Sequence, residues 1–256
     1  MSRMPLAFLG HGSPMNALED NAWTREWEAL GRRLPRPAAI LCVSAHYETR
    51  GLFLTGNAAP RTIHDFFGFP PALHQAAYPA PGSPALAERA AALLGGRAGI
   101  SDDWGLDHGA WSVLMRMYPQ ADVPVVQLSL DVTLPPEEQL SIGRALAPLR
   151  DEGVLLLGSG NVVHNLREIA PGKPEPFPWA AEFGEAVHEL VTQGRYQALA
   201  GYEKLPGSAR SVPTAEHFLP LPIVLGAAGA DDRVSFLNHE FLWGSLSMTG
   251  YVLTET

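Results

Sequence analysis

The sequence predicts an α/β domain, one central sheet covered by helices on both faces. Three observations carry this. Short apolar runs alternate with amphipathic segments along nearly the whole chain, the order produced by strands and helices in succession. The runs are almost continuously apolar, so a strand built from them is buried on both sides. The chain has 256 residues, 46% of them hydrophobic, which is enough for one large core. Residues 1–256 therefore read as a single domain.

The elements follow in order. Residues 6–9 form the first strand, and 23–34 a helix whose basic pair, Arg32-Arg33, falls in the last turn, where the helix dipole favours cations. Strands are expected at 39–44 and 52–55. Residues 59–82 differ: "APRTIHDFFGFPPALHQAAYPAPG" is dense in Pro and aromatics, which suits an ordered loop folded over something rather than a linker. Helices at 84–94 and 110–118 precede a strand at 123–130. In 136–149, Ile142, Leu146 and Leu149 recur at steps of four and three, with Glu137 and Glu138 in the first turn. That is a helical signature. A strand at 154–158, helices at 179–193 and 197–205, and strands at 222–225 and 234–237 follow. A last strand pair is placed around 245–253.

Composition excludes several classes. The formal charge is −9 and no Lys/Arg stripe occurs, so no nucleic-acid partner is expected. The one cysteine, Cys42, forbids an internal disulfide and a thiolate zinc site; it reads as a small buried residue. No apolar run reaches membrane-span length, and "MSRMPLAFLGHGSP" lacks a secretion pattern. A soluble, cytoplasmic protein is expected, with its assembly left open.

The nine histidines are unevenly placed. His11 follows the strand of "PLAFLG", His46 follows "AILCVSA", and His164 follows "VLLLGSGNVV". Each is read as lying just past the carboxyl end of a buried strand, where α/β sheets bind ligands. A lone loop histidine is ordinarily a surface or structural group. Three at strand ends, beside small residues such as Gly12, Ala45 and Gly160, argue for a shared site. His108 in "GLDHGAW" and His217 in "PTAEHFLPLP", next to Glu216, join the candidates. Imidazoles without thiolates suit Zn²⁺ or Fe²⁺, and the residues alone do not separate the two ions.

The motifs "HGSPM", "SAHYET", "IHDFFGFP", "YPAPG", "LDHGAW", "GSGNVVHNL" and "PTAEHFLPL", in this order, resemble those of the class III extradiol ring-opening dioxygenases. The closest group is the DODA type, the 4,5-DOPA extradiol dioxygenase-like proteins of bacteria and plants. The resemblance implies a mixed, mainly parallel sheet, a non-haem metal, a catechol-type substrate and O₂. It makes His11, His46 and His217 the metal ligands, with Glu216 as the alternative to His217. It makes His164 the acid–base residue, able also to touch resting zinc, and His108 a second active-site histidine contacting substrate or dioxygen. Fe²⁺ would serve the dioxygenase activity, and Zn²⁺ would be the ion found in a purified sample.

Phe66, Phe67 and Phe69 are candidate walls for the ring. Arg61, Arg210 and Asp107 could meet the charges of a DOPA-like side chain, and are otherwise read as surface charges. His64 and His74 are read as structural, His188 as surface, and His239 as outside the site. Two rival readings stand beside the dioxygenase. One is a zinc hydrolase on the same ligands; the other is a catalytically silent metal protein. A serine hydrolase is disfavoured, because Leu157 and Asn161 flank Ser159 where a nucleophile elbow needs glycines.

Overall fold

The structure is a computed structural model and describes residues 3–255. In chain order its elements are β1 (Leu6–Gly10), α1 (Ala22–Arg33), β2 (Ala39–Thr49), β3 (Leu52–Thr55), α2 (Pro71–His74) and α3 (Pro84–Leu93). Then come β4 (Ala98–Ser101), α4 (His108–Met117), β5 (Val125–Asp131), α5 (Pro136–Leu146), β6 (Val154–Gly160) and α6 (Pro178–Thr192). The chain ends with α7 (Ser208–Ser211), α8 (Pro220–Gly226), β7 (Asp232–Leu237), β8 (Phe241–Leu242), β9 (Leu246–Ser247) and β10 (Gly250–Glu255).

Eight strands make one sheet in the order β4-β3-β5-β2-β6-β1-β10-β7. The middle four, β5, β2, β6 and β1, run parallel. β10 and β7 add antiparallel pairs at one side, and β3 meets β5 antiparallel at the other. The expected mixed, mainly parallel α/β sheet is what forms.

Alternation of side chains explains the two faces. Leu6, Phe8, Leu41, Val43 and Leu156 point into one layer with Ala87, Ile142, Phe183 and Ile223 of α3, α5, α6 and α8. Their neighbours Ala7, Leu9, Ile40, Cys42 and Leu157 pack on Trp27 and Leu30 of α1 and Trp111 and Leu114 of α4. Cys42 is fully buried, as expected of a small apolar residue.

Local chemistry sets the helix starts. Asn21 caps α1 in a reciprocal capping box with Thr24. Asp107 caps α4, accepting from the Ala110 amide. Arg150, with no exposure, ties the two ends of the chain together. It donates to the Met4 carbonyl at 2.7 Å and pairs with Asp232 through both terminal nitrogens.

Two expectations need correction, and one strand was not expected. Residues 220–226 form a helix, not a strand. Pro220 and Pro222 sit in its first turn, where a missing N–H costs nothing. The helix is buried all round, so its apolar run lacks a helical period to read. β2 continues to Thr49, so His46 lies inside the strand rather than beyond it, where the register with β5 slips between Val43 and Glu48. β4 is an edge strand with two exposed residues, Gly99 and Ile100; it is too polar and too short to announce itself.

Candidate active site

Three adjacent parallel strands, β2, β6 and β1, end on the same side of the sheet. The end of β6 organises the site there. The His11 amide donates to the Gly160 carbonyl at 2.9 Å, and the Asn161 amide donates to the His217 carbonyl at 2.8 Å. A Cβ on Gly160 would lie 2.1 Å from that His217 oxygen, so only glycine lets the two segments meet. His164 is held by its own amide, which donates to the Ser211 carbonyl at 2.8 Å, and by a bridge to Leu246. His108 opens α4.

The rings of His11, His46 and His217 form a nearly equilateral triangle, with centroids 5.1, 5.2 and 5.3 Å apart. Their ligand nitrogens lie within 4.8 Å of one another. Each Nδ1 faces an acceptor. That of His11 meets Ser159 Oγ at 3.0 Å, that of His217 meets Glu216 Oε1 at 2.9 Å, and that of His46 lies 3.3 Å from Asp65 Oδ2. Ser159 Oγ already donates to the Gly109 carbonyl at 2.5 Å, so it can only accept from His11. Ser159 and Glu216 thereby keep the proton of His11 and His217 on Nδ1 and leave Nε2 bare.

The Nε2 atoms of His11 and His46 then face each other at 3.3 Å. With His46 in the same tautomer as His11, two lone pairs at that distance repel unless a cation lies between them. Two nitrogens bound tetrahedrally to one zinc-type ion sit about 3.3–3.4 Å apart. Burial, with the neighbouring imidazoles, pushes His46 down to about 4 and His164 to about 3. It pushes His11 and His217 well below their usual range. All four are neutral near pH 7, which is the ligand form. The residues present fit a divalent metal.

Residues 5–254 match the family described as the catalytic LigB subunit of aromatic ring-opening dioxygenase. The chain belongs to that family. It is 51% identical over 253 residues to the 4,5-DOPA dioxygenase extradiol of Escherichia coli strain K12, covering 96% of this chain and 93% of that one. It is 40% identical over 257 residues to the enzyme of the same name from Beta vulgaris, covering 97% and 96%. A crystal structure of an uncharacterized Escherichia coli K12 protein superposes with a TM-score of 0.85 at 45% identity, covering 98% of this chain and 99% of that one. The chain is thus a metal-dependent, extradiol ring-opening dioxygenase that takes a small aromatic substrate and O₂.

In this dioxygenase the histidines open into a cavity of about 290 Å³. His164 and His108 line it with the three candidate ligands, so the structure brings all five together. His164 lies flat on His217, centroids 3.4 Å apart and planes 6° apart. Phe66 and Phe69, in edge contact with each other, line the cavity together with Leu166, Trp243 and Leu246. Phe67 does not join them; at 93% exposure it points into solvent. A larger open groove of about 690 Å³ lies elsewhere and also touches Trp243, but its one histidine, His239, pairs with Glu185 outside the site.

Glu216 stands beside the cluster, its Oε1 taken by His217 and by Thr214 Oγ1. His64 Nε2 bonds the Ala76 carbonyl at 2.8 Å, a structural role as expected. Asp107 is no surface charge: it is fully buried and tied to Ser44, Gln127 and Trp104. Arg210 pairs with Glu168, and neither Arg210, Arg61 nor Asp107 lines the cavity. Sequence reasoning passed over Asp65 and Ser159. Asp65 lies in "IHDFFGFP", where a lone carboxylate among aromatics was the available signal. Ser159 gave none beyond its failure as a nucleophile elbow.

Proposed function

We propose that this protein opens a catechol-type ring, DOPA or a close analogue, beside its diol. It would use Fe²⁺ held by His11, His46 and His217, and Zn²⁺ would be the ion retained on purification. One observation carries the reading: three neutral imidazoles from distant segments bring ligand nitrogens within 4.8 Å of one another. His217 rather than Glu216 is the third ligand in this reading, because the carboxylate is occupied behind the ring. The relatives named for 4,5-DOPA support the substrate class.

An ion held by these residues would make a hydroxyl of the diol more acidic and would supply the Lewis-acid centre that the reaction with dioxygen needs. His164 takes the second hydroxyl proton and later returns one. Burial keeps it neutral, so it begins as a base. Its ring lies on the face of His217, which in this reading sets it beside the diol. The same place would let it reach resting zinc. His108, which lines the same cavity, contacts a substrate oxygen or dioxygen. Phe66 and Phe69 hold the ring and exclude water. The carbon–carbon bond next to the diol breaks. Both oxygen atoms of O₂ stay in the product, one in a carboxylate and one in a carbonyl.

Residues 1–256 act in this reading as one catalytic unit, since the ligands span 11 to 217. Among the described residues no helix is long and apolar enough to cross a membrane. A cytoplasmic site fits the single buried thiol. The test is anaerobic reconstitution with Fe²⁺, then a catechol and air. A yellow product with one O₂ consumed per ring supports the reading; hydrolysis by the zinc form without O₂ uptake, or silence in both, overturns it. His164→Ala at full metal content lowers turnover by about 10²–10⁴-fold; unchanged turnover would remove His164 from its role.

A further inference from the structure

One carboxylate in the cavity wall has no part in the steps above. Asp65 lies in the loop between β3 and α2. Its Oδ1 accepts from the His108 amide at 2.9 Å, which pins the loop to the start of α4. Its Oδ2 lies 3.0 Å from Nδ1 of His108 and 3.3 Å from Nδ1 of His46. One oxygen therefore faces two imidazoles, and it faces the same nitrogen of each. The two rings are 3.9 Å apart and tilted by 47°.

Neither contact is aligned. Oδ2 and His108 Nδ1 are both buried atoms without a hydrogen-bond partner among the described residues, and His108 is only 6% exposed. Buried polar atoms without partners are costly, and a short turn of either ring would satisfy them. Catalytic hydrogen bonds often tighten only when ligands fix the rings.

A carboxylate accepts and never donates. Beside it, each imidazole carries its proton on Nδ1 and leaves Nε2 bare. For His46 that is the nitrogen facing His11. For His108, which lines the cavity, it leaves an acceptor for a hydroxyl. We propose that Asp65 is a positioning residue that sets the tautomer of both rings, making His46 a metal ligand and His108 the acceptor for a catechol hydroxyl. The inference rests on the metal role proposed for His46. A purely structural Asp65 would need only Oδ1, and its second oxygen would be free to face solvent.

Asp65→Asn tests this at constant size. The amide oxygen still serves the His108 backbone, while the NH₂ group replaces the shared acceptor with a donor. Long-range ¹H–¹⁵N spectra of the zinc-loaded protein report the tautomer of each imidazole without turnover. In the wild type His108 carries its proton on Nδ1; in Asp65→Asn it moves to Nε2. Zinc affinity, read by chelator competition, falls about 10–100-fold. After iron loading, KM for 4-methylcatechol rises about tenfold, and Asp65→Glu, which keeps an acceptor, recovers part of both losses. A wild-type His108 protonated on Nε2 overturns the proposal, even if the variant does not fold. So does a folded Asp65→Asn protein with the wild-type tautomer and zinc affinity within twofold. If the tautomers shift but no catechol is opened even by the wild type, the dioxygenase reading fails and this one stands.

Discussion

Ser159→Ala separates the support of a proposed metal ligand, His11, from the support of the fold. Ser159 is fully buried on β6. Its Oγ donates to the Gly109 carbonyl at 2.5 Å and accepts from His11 Nδ1 at 3.0 Å. Alanine leaves a buried carbonyl and a buried ring N–H unpaired, at about 1–3 kcal/mol each. Taking the lower half of that range, stability falls by about 3 kcal/mol and the melting temperature by about 6–12 °C.

Only the His11 half of this loss distinguishes metal-bound from metal-free protein. An imidazole that gives its lone pair to a cation becomes a stronger N–H donor, so the Ser159 contact is worth more in the loaded site. Zinc affinity then drops about 10–100-fold, or about 1.4–2.8 kcal/mol. The assay is competition against a chromophoric chelator at fixed pH, with melting curves on the same samples. Ser112→Ala is the control. Its hydroxyl is buried without a hydrogen-bond partner among the described residues, so its loss leaves zinc affinity unchanged and stability unchanged or slightly higher. A folded Ser159→Ala protein that binds zinc as the wild type does would show that Ser159 has no influence on the ligand.

Gly160→Ala places a methyl 2.1 Å from the His217 backbone oxygen. It displaces the segment carrying His217, and metal content after dialysis falls below half of wild type while far-UV circular dichroism still shows the sheet. At Asp232, burial pushes the carboxyl up, but the Arg150 hydrogen bond, the Gly229 amide and the charges of Arg150 and Arg3 outweigh it and hold it below the usual carboxylate range. A lowered folded value stabilises above the unfolded pKa, near 3.9. That stability is lost as pH falls through the folded value. Asp232→Asn therefore costs about 3–5 kcal/mol at pH 7 and flattens the stability profile below about pH 4. Urea unfolding across pH 2–7 measures both; a wild-type slope in the acid range would contradict the assignment.

Much of this molecule can be read along the chain. The runs "LAFLG", "AILCVS" and "VLLLG" determine strands buried on both faces, because nothing polar interrupts them. The steps of four and three among Ile142, Leu146 and Leu149 determine a helix. His11, His46 and His164 stand out as a set that follows apolar runs and lies beside small residues, and His108 and His217 stand out through their motifs. Other features depend on partners far away in sequence. Residues 220–226 are apolar throughout, and only packing against α5 and the sheet decides that they coil. Phe66 and Phe67 are neighbours of the same type, yet one faces His108 and the other water; the path of the loop chooses. Ser159, the acceptor behind His11, is the clearest case. A hydrogen bond fixes a tautomer only at a particular distance and angle, and no local pattern encodes a contact between residues 11 and 159. The sequence by itself determined which groups could bind a metal. The tertiary structure decided how those groups converge and, for His11, which nitrogen faces the cluster, because Ser159 stands behind the ring.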